Sequence, residues 1–228
     1  IDPMFHSRII GAKSANLDLH FFSENTLRFL LAKNAAGCDV SVIEGAMGFY
    51  DGAGLTTWKT SAYELALVTK TPVVLVVNAR GAALSVLAVI EGFLRFRPES
   101  GIRGVILNQC TAMTYASLSA AIEERFGIRC FGFLPRLDEC VLESRHLGLV
   151  TAGEIRDLRE KMQTLAAQAE KTLDIDALLA LAHEAEPLDY TPAVLPKKEK
   201  IRLAVARDNA FCFYYEDSLD AVREMGGE

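Results

Sequence analysis

The sequence predicts an α/β fold built on a mostly parallel β-sheet with helices on both faces. Short apolar runs alternate with longer amphipathic segments along residues 23–134. The runs are nearly continuous in Val, Ile and Leu, which is typical of parallel strands because both faces of such a sheet are buried. The chain has 228 residues, of which 50% are hydrophobic. This is enough for one full domain and the beginning of another.

Strands and helices alternate in the first part of the chain. The apolar runs predict strands at residues 39–44, 72–78, 102–108 and 128–134. Amphipathic spacing predicts helices at residues 23–36, 61–70, 82–96 and 116–126. Local signals support these helices, because Ser61 and Glu64 fit a capping box, while Gly37 and Gly127 stand where helices end.

The pattern changes after residue 150. Helices are predicted at residues 154–173 and 176–186, with no strand between them. The next segment contains three prolines and the charged run KKEK, which is typical of a linker. A strand at 201–206 and a helix at 218–225 then predict the first βα unit of a second domain. The predicted division is a first domain at 1–186, a linker at 187–200 and a second domain from 201–228.

Composition argues against several classes of function. The formal net charge is −6 and no basic patch stands out, so nothing favours a nucleic-acid partner. No apolar run reaches the roughly 18–20 residues that span a bilayer, so no membrane association is expected. The five cysteines contain no C-x-x-C pair, which predicts buried thiols in a reducing, cytoplasmic location. No two of the four histidines have the spacing of metal ligands.

Candidate functional residues follow the predicted strands, because open parallel sheets bind ligands beyond the carboxyl ends of their strands. Glu44 ends the first strand and opens a glycine-rich run that includes Asp51. A carboxylate at that place suits Mg²⁺ held together with phosphate. A solvated loop with turn glycines explains the same pattern equally well.

The other strands end in polar residues. Asn78 and Arg80 follow the second strand, where Arg80 suits phosphate and Asn78 suits a turn cap. Asn108 ends the third strand, and its carboxamide suits either a base edge or a turn. Pro135 and Arg136 follow the fourth strand and would flank the same base, or simply end the strand.

Four segments resemble the cobyrinic acid a,c-diamide synthase family. EGAMGFYDG at 44–52 is similar to its E-G-x-M-G motif, and IDPMFH at 1–6 resembles part of its D-Y-I-D-P-x-x-H segment. SRHLGL at 144–149 is similar to its R-H-L-G-L signature. RLAVARDNAFCFYY at 202–215 resembles the opening of its glutaminase-like domain. The four segments occur in the family's order and extend over nearly the whole chain.

The resemblance implies a P-loop NTPase-like first domain, similar to dethiobiotin synthetase, and a second domain similar to class I glutamine amidotransferases. It implies a ligase that uses ATP and Mg²⁺ to activate the a and c acetate carboxylates of a corrinoid. Ammonia released from glutamine would then form the amides. The implied partners are the corrinoid and glutamine or ammonia, and a homodimer is left open.

The resemblance also assigns residues. It implies that Glu44 is a Mg²⁺ ligand and that Asp51 acts at the substrate carboxylate or in phosphoryl transfer. Asp2 would line the nucleotide or corrinoid site. Asn108 would contact adenine, with Pro135 and Arg136 beside it. No role follows for Arg145 or His146.

The chain departs from the family pattern in several places. It contains no G-x-x-x-x-G-K-[ST] phosphate loop, which is expected upstream of Ile1, and it holds only the opening of the second domain. We therefore expect the 228 residues to be inactive by themselves. Asn78 stands where the family often has Asp, and Cys212 does not occupy the position of a glutaminase nucleophile.

Three alternatives stay open at this point. Cobyric acid synthase and nickel-sirohydrochlorin a,c-diamide synthase share the same architecture. A nucleotide switch of the MinD/ParA kind would share the sheet, although it would not need the linker and the last βα unit. A non-catalytic fragment is the third alternative.

Overall fold

Three parallel strands form the central sheet in a computed structural model of the chain, which describes residues 6–141, 144–145, 148–149, 158–198, 200–208, 211 and 214–228. The helices are α1 (Glu24–Ala35), α2 (Ala62–Thr69), α3 (Ser85–Phe96), α4 (Ala112–Phe126), α5 (Leu158–Thr172), α6 (Ile175–His183) and α7 (Glu216–Glu224). The strands are β1 (Val73–Asn78), β2 (Ile102–Asn108), β3 (Arg129–Leu134), β4 (Ser144–Arg145) and β5 (Gly148–Leu149). Short helical turns of other types lie at His6–Ile10 and Asp138–Cys140.

The sheet has the order β1-β2-β3, and both pairings are parallel. Helix α3 connects β1 to β2, and α4 connects β2 to β3. The predicted α/β fold with a parallel sheet is thereby confirmed. Each of these strands has bounds within one residue of the prediction. The short strands β4 and β5 pair separately and antiparallel.

Two predicted strands are wrong. Residues 39–44 form no strand, and the side chain of Val42 is 89% exposed. Residues 201–206 form none either, and Leu203 is exposed there. A strand needs a ladder of backbone hydrogen bonds to a neighbour, and within the described residues neither segment has such a ladder. An apolar run indicates a preference for burial, but it does not provide that neighbour.

One face of the sheet packs on α3 and α4 and forms the main core. The largest fully buried side chains there include Val86, Ile90, Val105, Leu107, Cys110 and Ile122. The opposite face is covered by α6, whose Ala177 and Leu181 pack on Phe131 of β3. That cover is partial, because Val76 of β1 remains 61% exposed. Helices therefore lie on both faces as predicted, but unequally.

Capping residues decide where the helices begin. Thr111 accepts a hydrogen bond from the Thr114 N–H at 3.2 Å, so α4 begins four residues before its predicted start. The predicted cap of α2 is confirmed, since the Ser61 hydroxyl accepts from the Glu64 N–H at 3.3 Å. The Glu64 carboxylate reaches back to the Thr60 N–H, one residue earlier than in a standard capping box.

The described chain divides into two compact units. One consists of Cys38–Val141 and Gln163–Leu188 and contains the sheet. The other consists of Ile1–Gly37, Leu142–Met162 and Asp189–Glu228. Within the second unit, Lys33 of α1 is 2.9 Å from the Glu224 carboxylate of α7. The division at 1–186, 187–200 and 201–228 stays a prediction. Among the described helices, none is long and apolar enough to cross a membrane.

Candidate functional site

The carboxyl edge of the sheet brings four of the predicted residues together. The strand register pairs Asn78 of β1 with Asn108 of β2, and Asn108 with Leu134 of β3. Pro135 and Arg136 follow directly after Leu134. Because all three strands run in the same direction, their last residues meet at one edge. The pairing therefore places the polar ends of neighbouring strands side by side.

Both asparagine side chains accept a backbone hydrogen bond from the turn after their strand, Asn78 from two residues on and Asn108 from the next residue. The Asn78 side-chain oxygen accepts a hydrogen bond from the Arg80 N–H at 3.0 Å, and that of Asn108 accepts from the Gln109 N–H at 3.0 Å. Gln109 adopts a left-handed conformation with φ of 54°, which turns the chain sharply after β2. Each carboxamide nitrogen forms no hydrogen bond with another described residue and remains able to donate to a ligand.

Pro135 and Arg136 differ in solvent exposure and in the contacts they make. Pro135 is half-buried at the end of β3. The exposed Arg136 guanidinium is ion-paired with Asp138, two residues further along. Exposed ion pairs contribute only about 0–1 kcal/mol, so this arginine can exchange Asp138 for an anionic ligand at little cost.

The motif loop, defined here as residues 44–60, carries the two predicted carboxylates. Both Glu44 and Asp51 are exposed. The Asp51 N–H donates to the Gly48 carbonyl at 2.9 Å, and its carboxylate folds over Gly48. A Cβ atom at position 48 would lie 2.2 Å from the Asp51 Oδ2 atom. The glycine therefore permits the conformation that holds this carboxylate.

Aromatic side chains anchor the motif loop to the last turn of α3. The Tyr50 ring stacks on Phe93 with centroids 5.8 Å apart, and its hydroxyl donates to the Phe93 carbonyl at 2.6 Å. Phe49 packs against the main core beside it. Tyr63 at the start of α2 contacts the rings of both Phe49 and Tyr50. These contacts fix the chain immediately before Asp51.

A second constraint closes the motif loop on itself. The Gly52 N–H donates to the Thr57 carbonyl, and the Ala53 N–H donates to the Lys59 carbonyl, both at 3.0 Å. A Cβ atom at position 52 would lie 2.2 Å from the Lys59 carbonyl oxygen. Real Cβ atoms do not approach a carbonyl oxygen this closely. The last glycine of the EGAMGFYDG motif is therefore required, because the backbone at Lys59 passes directly against it.

The structure separates the predicted residues into two groups. Asn78 and Asn108 lie at the carboxyl edge, before the first turns of α3 and α4, whereas the anchor of the motif loop lies on the last turn of α3. In the described part of the chain, no group of three or more His, Cys, Asp or Glu side chains is arranged to hold a metal ion. Asp2 and His146 lie outside the described residues.

Two buried thiols near the sheet, Cys110 and Cys130, have raised pKa values. Burial raises the pKa of the Cys130 thiol to about 12 and raises that of Cys110 as well. Cys140 is half-buried and Cys38 is exposed. The expectation that the cysteines are buried is therefore wrong for Cys38, and Cys212 lies outside the described residues.

Sequence reasoning missed a group of side chains that surround Trp58, near the end of the motif loop. Trp58 is absent from the candidate residues above, yet its half-buried ring contacts the charged groups of Lys59 and Arg97. A signal was present, because Trp58 is the single tryptophan of the chain and stands directly before a lysine. Arg97 directly follows the helix predicted at 82–96 and is far from Trp58 in sequence, so no local pattern connects the two.

Comparison with known proteins places the chain in a family. A family model described as an AAA domain matches residues 13–144, more than half of the chain. The chain is 39% identical to a cobyrinate a,c-diamide synthase of Caldanaerobacter subterraneus over 99% of its length and 50% of that relative. It is 38% identical to one of Listeria monocytogenes (99% of the chain, 51% of the relative) and 37% identical to one of Thermoplasma acidophilum (99% and 51%).

The chain spans about half the length of these curated relatives. No solved structure matches it. The parallel α/β sheet agrees with the family model, and the predicted resemblance is confirmed by relatives of that same name. The chain therefore belongs to the AAA-domain family that this model describes, with cobyrinate a,c-diamide synthases among its relatives.

Proposed function

We propose that this chain is the ATP-dependent part of a glutamine-dependent ligase that amidates the a and c carboxylates of cobyrinic or hydrogenobyrinic acid. The observation that carries the proposal is the similarity over 99% of the chain to relatives named cobyrinate a,c-diamide synthase. The similarity includes the motif loop as well as the sheet. An ATP-binding role agrees with the family model that matches residues 13–144.

The proposed reaction has two chemical steps. A carboxylate oxygen of the corrinoid attacks the γ-phosphorus of ATP, and ADP leaves to give an acyl phosphate. Ammonia from glutamine then attacks the acyl carbon, and inorganic phosphate and a proton leave to give the amide. Both steps depend on positioning and on neutralising phosphate charge, so the protein contributes mainly through oriented polar groups.

We assign Glu44 to magnesium. Its carboxylate is exposed at the start of the motif loop. Mg²⁺ is usually held by one or two protein carboxylates together with substrate phosphates, so a single exposed carboxylate fits this donor set. When bound, Mg²⁺ would neutralise the phosphate charge during transfer.

We assign Asp51 to the substrate carboxylate, or to the phosphoryl group being transferred. Its backbone is fixed by the turn to Gly48 and by the stacked Tyr50 beside it. A side chain held in this way loses little further freedom when it orients a reacting group. On sequence resemblance alone, Asp2 is proposed to line the nucleotide or corrinoid site.

We assign the nucleotide base to the carboxyl edge. The Asn108 carboxamide nitrogen would donate to an acceptor nitrogen of adenine, because its oxygen already accepts from the Gln109 N–H. Pro135 and Arg136 follow the neighbouring strand and would lie against the base. An amide nitrogen carries two N–H donors, so one of them can reach a ring nitrogen of the base while the oxygen keeps its bond to the turn.

The test is amide formation by the protein that carries this chain. It is incubated with cobyrinic acid, glutamine, ATP and Mg²⁺, and mass spectrometry detects replacement of each carboxyl hydroxyl by an amino group. We expect the a,c-diamide, with ADP formed in proportion. Glu44→Gln and Asp51→Asn should each reduce turnover by at least about a hundredfold, as expected when a charged group is lost from phosphoryl transfer.

The substrate class is tested in the same assay. Nickel-sirohydrochlorin and cobyrinic acid a,c-diamide are offered in separate reactions, since they are the substrates expected of the two sister amidases. If either of these is amidated faster than cobyrinic acid, the protein would be assigned the corresponding sister activity instead. ATP hydrolysis that no tetrapyrrole accelerates would contradict the ligase proposal.

A further inference from the structure

Two cationic side chains lie on the indole ring of Trp58. The Lys59 Nζ atom is 4.3 Å from the ring centroid, and the Arg97 Cζ atom is 4.5 Å from it. Both distances are within the roughly 6 Å range of a cation–π interaction. Lys59 belongs to the motif loop, and Arg97 directly follows the last residue of α3. The indole therefore brings together two positive charges from separate elements.

The two charges are compensated differently. Lys59 is ion-paired with the Glu64 carboxylate at 2.8 Å. Arg97 forms no ion pair or hydrogen bond with another described residue, and its Nε atom is buried without a partner. The carbonyl end of α3 offsets part of the charge, but only by roughly 0.3–1 kcal/mol. A buried N–H without an acceptor is costly, and an anion bound at the guanidinium would compensate the charge of Arg97.

Backbone contacts constrain the residues around this charge. Thr60 has φ of 67°, a conformation that β-branched residues rarely adopt, and its N–H donates to the Glu64 carboxylate. Gly52 holds the Lys59 backbone by close approach. Strained positions of this kind persist only where surrounding contacts enforce them, and they are common at ligand sites.

The same charge is coupled to the motif loop. Burial raises the pKa of the Tyr50 hydroxyl, and the positive charge of Arg97 opposes that rise. Tyr50 precedes Asp51, the residue assigned to the substrate carboxylate. Arg97 therefore acts on the part of the chain where an anionic substrate is proposed to react. Because the formal net charge is −6, such a substrate needs local positive groups.

We propose that Arg97, supported by Trp58 and Lys59, is a subsite for a side-chain carboxylate of the tetrapyrrole that is not being amidated. The proposal rests on the proposed function and extends it to substrate positioning. The guanidinium would bind the carboxylate through two parallel N–H donors, while the indole holds its plane. Anchoring a remote carboxylate would orient the acetate side chain that reacts at Asp51.

The test measures corrinoid binding to the 228-residue chain through the fluorescence of Trp58, its single tryptophan. Corrinoids absorb where tryptophan emits, so a corrinoid bound beside the indole quenches it. We expect saturable quenching by cobyrinic acid. Arg97→Gln should weaken that binding by roughly tenfold to a hundredfold, as expected for the loss of a charged hydrogen-bonded pair. Arg97→Lys should recover part of the loss, because it keeps the charge without the planar donor pair.

Two controls separate binding from folding. Arg95→Gln removes a nearby arginine that is paired with Glu91 and should leave binding unchanged. Cobinamide, whose side-chain carboxylates are amides, should bind equally to the wild type and to Arg97→Gln. Equal weakening of both corrinoids, or no weakening of cobyrinic acid, would overturn the subsite. Stronger Arg97-dependent binding of ATP than of cobyrinic acid would overturn it as well, since the site would then recognise phosphate.

The outcome is distinguishable from failure of the proposed function. If wild-type protein forms the diamide and Arg97→Gln binds cobyrinic acid normally, the subsite is wrong and the ligase stands. If the protein that carries this chain forms no amide from any tetrapyrrole, the ligase itself is wrong.

Discussion

The carboxyl edge of the sheet and the motif loop both contribute candidate site residues, but different interactions position them. At the edge, Asn78 and Asn108 are set side by side by the backbone ladder of β1 and β2. In the motif loop, Asp51 is set by a stacked tyrosine and by two glycines whose backbones are approached closely. The edge therefore depends on the packed core, whereas the loop depends on a few contacts distant in sequence.

The largest effect is expected from loss of core packing beneath the edge. Leu107 precedes Asn108 and is completely buried. Leu107→Ala should reduce the free energy of unfolding by about 2–5 kcal/mol, because it removes buried methyl groups and leaves a cavity. Val76→Ala on the neighbouring strand is the matched control, since Val76 is 61% exposed, and should cost at most about 1 kcal/mol. Urea denaturation measures both, and equal losses would show that the core does not support the edge.

A smaller effect is expected from a methyl group at Gly52. Gly52→Ala should destabilise the loop by about 1–3 kcal/mol, because the new Cβ overlaps the Lys59 carbonyl. The indole of Trp58 should then become more accessible, so acrylamide should quench its fluorescence more strongly. Gly54→Ala is the control, since its Cβ would meet only the Thr57 methyl at an ordinary 3.4 Å. Unchanged quenching in Gly52→Ala would mean that the loop closes without this contact.

The nucleotide assignment predicts a still smaller effect. Asn108→Ala should raise the KM for ATP of the protein that carries this chain by about three- to tenfold, equivalent to one hydrogen bond of roughly 0.5–1.5 kcal/mol. Asn78→Ala removes the corresponding side chain on β1 and should change KM less, since that residue mainly caps the turn to Arg80. A larger rise in KM for Asn78→Ala than for Asn108→Ala would assign the base contact to β1 instead of β2.

The last prediction concerns Cys130 and the dependence of stability on pH, which this thiol affects only under alkaline conditions. Its folded pKa of about 12 lies above its usual value of 9.0, so burial stabilises the neutral thiol. Stability from this group is complete below about pH 9 and is lost as the pH rises towards 12. The stability of Cys130→Ala should therefore fall less steeply between these values than that of the wild type in parallel denaturation series. Identical slopes would show that the thiol is not protected in the folded state.

The sequence predicted the two regions with different success, for a physical reason. The strands β1, β2 and β3 are continuous apolar runs, and the polar residues that end them follow from the same pattern. Parallel pairing then places Asn78, Asn108 and Pro135 at one edge without further information. The start of α4 was misjudged because Thr111 caps a turn that carries no apolar periodicity.

The motif loop could not be predicted in the same way. The apolar residues 39–44, which lead into the motif loop, indicated a strand, but no strand pairs with them in the described part of the chain. The contact of Tyr50 with Phe93 and that of Trp58 with Arg97 join residues about forty positions apart. Such contacts leave no local spacing to recognise, so only the glycines of the motif hinted at a constrained backbone.

The order of the strands has a consequence for how the protein is made. Since β1, β2 and β3 are neighbours in the chain as well as in the sheet, each new strand needs only one completed helical connection before it can pair. Closure of short segments costs less entropy than closure of long ones. A ribosome releases these units in the same order, so we expect the sheet to assemble progressively during synthesis rather than after release.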